Sequence, residues 1–158
     1  MKKIFGLLVA LLSIAHIAGA QQQPTIDSSK LQGSWMLFSV QAEIYAQSDD
    51  RLLDKRVINP LAGDIQWRAP IATNALFQGD SCLLGGYFSS FKKFSVSTDG
   101  MLMTREKVQA NMPELITAYP SSLSQTGVLT ITLPAANYQD PVKKWAVKIV
   151  YQCQFKRN

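Results

Sequence analysis

Beyond residue 20 this chain of 158 residues has no histidine; the single one is His16. A segment without imidazole holds no Ser-His or Cys-His nucleophilic pair and no histidine-ligated metal. Cysteine is scarce too, with only Cys82 and Cys153. Apolar runs of membrane-spanning length are missing after the first twenty residues. Acidic residues are in mild deficit. The formal net charge is +5, and without Lys2 and Lys3 the balance is 14 basic against 11 acidic residues. So mild a positive charge favours an anionic envelope surface over nucleic acid as a partner.

The first twenty residues have the pattern of an address label. Lys2 and Lys3 precede an apolar stretch from Ile4 to Ile17, and Ala18-Gly19-Ala20 forms a small-x-small cleavage site. The expectation is a signal peptide over residues 1–20, cleaved after Ala20, and a secreted or periplasmic product with no transmembrane segment. Residues 21–30, QQQPTIDSSK, are polar and contain a proline. They are expected to form a flexible N-terminal arm. Residues 31–158 then make one domain, large enough for a single core. In an oxidising compartment the even pair Cys82 and Cys153 reads as a disulfide. It would close a loop of about 72 residues, worth on the order of 4 kcal/mol by chain entropy.

Eight stretches have strand character. They are 31–45, Asp64–Ala69, Ile71–Gln78, the segment around Cys82, Phe91–Thr98, Met101–Val108, Gly127–Pro134 and Lys143–Lys156. Asp99-Gly100 suits a two-residue type I′ turn. That turn pairs Lys93 with Glu106 and sets Lys92 against Lys107. In the last stretch Trp145, Val147, Ile149, Tyr151, Cys153 and Phe155 alternate to one face. Asn111, Glu114 and Pro120 bracket a short helix with a capping box. Residues 48–57 read equally as a short helix or a solvated loop. Short strands with frequent turns predict a mainly β, antiparallel fold: an eight-stranded barrel or a strongly curled sheet, with one short helix. The length of the last strand favours curling.

Gly33-Ser34-Trp35 on the first strand, with Arg157 ending the last, resembles the lipocalins and the wider calycin group. The resemblance implies a barrel whose end is closed by Trp35, started by Gly33 and covered by Arg157 through a cation–π contact. It also implies a link from Cys82 to Cys153 between a middle strand and the C-terminal region. A second resemblance runs through the order of GDSCLLGGY, MTREKV and PELITAYPSSLSQTGVLTIT. That order is similar to the META domain of HslJ-like bacterial envelope proteins, and implies a stress-related envelope role. Calycin-type bacterial protease inhibitors are also similar, and there the N-terminal arm enters a protease cleft.

Trp67, Phe77, Phe94, Trp145 and Tyr151 either line a ligand cavity or fill a dry core; eight-stranded barrels do both. The basic and aromatic runs Phe91-Lys92-Lys93-Phe94 and Lys143-Lys144-Trp145 resemble single-strand nucleic-acid contacts, but solvated strand edges account for their lysines. Asp49, Asp50 and Asp54 lack calcium-loop spacing. Glu43, Glu106, Glu114 and the aspartates form no recognisable acid–base pair. No catalytic residue, metal or cofactor is implied. The expected function is non-enzymatic: binding a small apolar ligand or serving in envelope maintenance, with a protease or other envelope partner as the alternative.

Overall fold

A computed structural model of the chain describes residues 26–62, 67–140 and 142–158. The expected signal peptide at 1–20, the first half of the expected arm and residues 64–66 of the expected strand at Asp64–Ala69 lie outside the described residues. A 3-10 turn, Ser28–Leu31, precedes ten strand segments. These are β1 (Gly33–Ala46), β2 (Leu52–Ile58), β3 (Asn74–Gln78), β4 (Ser81–Gly85) and β5 (Lys92–Val96), followed by β6 (Met101–Glu106), β7 (Leu115–Leu123), β8 (Val128–Thr132), β9 (Ala136–Gln139) and β10 (Ala146–Arg157).

Ten segments make eight staves. β3 pairs with the first half of β1 and β2 with its second half, so both belong to one interrupted stave. In the same way β8 and β9 pair with the two halves of β10. The Leu133 N–H donates to the Tyr151 carbonyl at 2.8 Å and carries that ladder across the gap. The other staves are antiparallel neighbours in sequence, and β1 pairs with β10 from Trp35–Arg157 to Ala46–Val147. The sheet therefore closes into an eight-stranded antiparallel barrel. Following the register once around the ring returns to β1 displaced by roughly twelve residues, a steep stagger that tilts the staves and widens the bore.

One irregularity shapes the barrel. Leu37 faces Phe155 and Ser39 faces Gln154, so Phe38 is an extra residue on β1. Such a bulge shifts the side-chain alternation by one. Before it Trp35 and Leu37 point inward; after it Val40 and Ala42 do. The first half of β1 belongs to a compact closed end. The second half, flanked by β2, β10 and β9, forms a taller wall on one side of the open end.

Several expectations give way. Residues 115–123 of the expected helix and its continuation form β7, which pairs with β6 over six residues. Pairing a whole strand outweighs a capping signal spread over four residues, and Ile116, Thr117 and Tyr119 suit a strand. The 48–57 segment becomes the turn before β2 and most of that strand. Trp67–Ala69 carry no strand. Among the described residues of the expected arm, Asp27 caps the 3-10 turn through Ser29 N and Ile26 is buried, and Leu31, the first residue of the expected domain, is buried too. The hairpin at Asp99-Gly100 has a three-residue loop, closed by Ser97 N–H to the Met101 carbonyl. Its register pairs Phe94 with Thr104 and Lys93 with Arg105, one residue from the expected pairing. Lys92 therefore meets Glu106 in an ion pair, and the expected Lys92–Lys107 opposition does not arise.

Candidate functional site

At the closed end, the turn before β1 and the last residue of β10 converge on one side chain. Trp35 is 2 % exposed. Its Nε1 donates to the Leu31 carbonyl at 2.7 Å, and the Arg157 guanidinium lies 4.9 Å from its ring centre. Arg157 also donates to the Lys30 carbonyl. Gly33, at φ +109°, lets the chain turn from the 3-10 segment into β1; that region is strained for residues with a Cβ. Beside this plug lies an open surface cleft of about 800 Å³ between Ile26, Lys30, Leu123 and Gln125. Trp35 and Arg157 are among the residues that line it.

Above Trp35 the interior is filled. Phe77, Leu84, Leu102, Ile131, Cys153 and Phe155 are essentially without solvent exposure. Phe77 and Phe94 meet edge to face with ring centres 5.1 Å apart. These two expected cavity residues thus sit in a packed core. Cys82 and Cys153 are free thiols, which corrects the expected disulfide. They project inward from β4 and β10, staves separated by β1 and β3 on one side and by β5 to β8 on the other. No ladder pairs these two staves, so no shared register sets the two cysteines opposite each other. Burial pushes the Cys82 thiol up to about 12 and the Cys153 thiol up to about 11.

The open end differs. Against the tall wall lies a cleft of about 320 Å³. Its floor is apolar, from Ala42 and Ile44 of β1, Ile58 of β2 and Ile149 of β10. Trp67 and Tyr151 stand over it edge to face, with ring centres 5.7 Å apart. The Tyr151 hydroxyl accepts from the Arg68 backbone N–H at 3.1 Å, fastening the segment that carries Trp67 to the barrel. Burial raises the Tyr151 and Tyr138 phenols above their ordinary range. The rim is polar, with Arg56, Arg68, Tyr138 and Asp140. Arg56 is paired with Asp54 at 2.5 Å, whereas Arg68 joins no ion pair among the described residues.

Of the five aromatic residues expected to line a cavity, only Trp67 and Tyr151 meet in the open-end cleft. Trp145 precedes β10, is 52 % exposed, stacks against Lys143 and lines a separate open cleft of about 370 Å³ with Ser48, Arg51 and Leu53. Sequence reasoning missed the floor residues and the two arginines. The signal for Ala42 and Ile44 is their alternation with Gln41, Glu43 and Tyr45, which becomes visible once the phase shift at Phe38 is known. Arg56 and Ile58 were hidden by the reading of residues 48–57 as helix or loop.

In this cleft, described residues supply an apolar floor, an aromatic pair and a polar rim of two arginines, a tyrosine and a carboxylate. The outer face of the same wall holds a different group: Glu43 accepts from Tyr45 at 2.6 Å, from Gln41 at 3.1 Å and from Lys55 at 3.0 Å. The Tyr45 hydroxyl and the Lys55 ammonium hold the Glu43 carboxyl below its usual range. That network is a satisfied cross-strand contact. Comparison with protein-family models, with curated proteins and with solved structures finds no match to this chain.

Proposed function

We propose that this chain is an exported, non-enzymatic, lipocalin-like protein that binds one small apolar ligand in the open-end cleft. The carrying observation is the contrast between the interior of the barrel and its open end. The barrel interior above Trp35 is filled with side chains, while about 320 Å³ beneath Trp67 and Tyr151 has an apolar floor under a polar rim. That volume lies at the lower bound for small-molecule sites. Arg68 on the rim favours a ligand with an acidic end. Export rests on the basic, apolar and small-x-small order of residues 1–20, and the non-enzymatic reading on the lack of imidazole after His16.

The test is titration with 1-anilinonaphthalene-8-sulfonate, an apolar probe with an anionic group. A single saturable site is expected, with quenching of tryptophan emission. The pair Ile44→Phe and Ile58→Phe fills the floor from two half-buried positions, and is expected to weaken the probe at least tenfold while the thermal transition stays cooperative. A titration that does not saturate, or one indifferent to both substitutions in a folded protein, rejects the cleft as the site.

A further inference from the structure

The β9–β10 turn lies beside the cleft and is built as a firm projection. The Asp140 carboxylate accepts the backbone N–H groups of Val142 at 2.9 Å and Lys143 at 2.7 Å. These bonds, led by that from Lys143, hold its carboxyl below the usual range. The Lys144 N–H donates to the Asp140 carbonyl, and the Asp140 N–H to the Trp145 carbonyl. Lys144 is at φ +58°, a conformation that non-glycine residues seldom adopt. The neighbouring β1–β2 turn is tied on: Gln47 donates from its backbone N–H to the Ala146 carbonyl and from Nε2 to the Val147 carbonyl.

So fastened, the turn presents an unusual set of side chains to solvent. Val142 is 86 % exposed and Trp145 52 % exposed. Lys143 and Lys144 are also exposed, and neither is in an ion pair among the described residues. The Lys143 ammonium lies 4.9 Å from the Trp145 ring centre. Hydrogen bonds thus hold a half-exposed indole and an aliphatic side chain in water beside two lysines, with the Asp140 carboxylate the one acidic side chain of the turn. An indole prefers the headgroup level of a bilayer, and lysines beside it are drawn to anionic lipid. We propose that this turn docks the barrel, open end first, onto an anionic phospholipid surface. Val142 and Trp145 enter the headgroup layer, and Lys143 and Lys144 neutralise lipid phosphates. The contact is peripheral, and it requires no ligand in the cleft.

Co-sedimentation of the full chain with vesicles tests this. Binding to equimolar phosphatidylglycerol and phosphatidylcholine is expected at low salt, with weak or no binding to phosphatidylcholine alone. Trp145 emission is expected to shift to the blue on binding. The double variant Lys143→Glu with Lys144→Glu is expected to bind at least tenfold more weakly, and Trp145→Ala several-fold more weakly. Lys93→Glu with Lys107→Glu carries the same charge change elsewhere and is expected to bind like the parent. Equal loss in both lysine pairs would mean attraction by net charge alone and overturn the proposal. So would no preference for phosphatidylglycerol, or undiminished binding by the Lys143/Lys144 variant.

Discussion

Burial raises both thiols, and the consequence for pH follows from the sign. A group whose pKa is raised on folding contributes its full share of stability below its unfolded value and loses it as pH climbs toward the folded value. For Cys82 the loss runs from about 9 to about 12, and for Cys153 from about 9 to about 11. Alkaline titration of the unfolding midpoint is expected to show this fall, and Cys82→Ala with Cys153→Ala to make it shallower. At pH 8 a thiol reagent is expected to find no reactive group until denaturant is added, then two per chain. A reduced and an unreduced sample giving different counts would contradict the free thiols. The count of two cysteines suggested a bridge, but pairing depends on which walls they occupy, and composition carries no such information. Trp35 was more legible, because its partners come from segments adjacent to the first and last strands. Trp145 was misplaced for a local reason: its alternation continues that of β10, but the strand begins one residue later.

At the scale of elements, the β5–β6 hairpin separates what sequence specifies from what it leaves open. Asp99-Gly100 marks the turn, yet the loop holds one residue more than a type I′ pair needs. Gly100 takes φ +80°, as a three-residue loop of this kind requires. An added Cβ would meet the Ser121 carbonyl at 3.4 Å, an ordinary contact, so the cost is conformational. Gly100→Ala is expected to lower stability by about 1–2 kcal/mol in urea unfolding. The one-residue difference reverses neighbours: it buries Thr104 against Phe94 and pairs Lys92 with Glu106. β7 illustrates the opposite failure. Its capping signal is real chemistry, but the free edge of β6 needs a partner, and β-branched residues at 116 and 117 supply one.

For the whole molecule, curling was legible and the two ends were not. The long alternating last strand called for strong curling, as a barrel or a curled sheet, and the structure has the closed barrel. The sequence has no comparable mark for where that ring is filled or left open, since both ends use the same aromatic and aliphatic residues. The closed end depends on its lid: Leu31, buried, accepts from Trp35 through its carbonyl and is the last residue of the capped turn. Leu31→Ala is expected to cost about 2–5 kcal/mol and to raise acrylamide quenching of tryptophan emission. The Phe38 bulge has a consequence of another kind. β1 is written in two reading phases, odd residues inward up to Leu37 and even residues inward from Val40. Exchanging Phe38 for another residue leaves both phases intact. Deleting it would remove only the extra residue: Leu37 and Ser39 already face consecutive residues of β10, so Val40, Ala42 and Ile44 would stay inward and the two phases would become one. What the extra letter supplies is therefore a local bend and added twist in β1, not the choice of which side chains face the core.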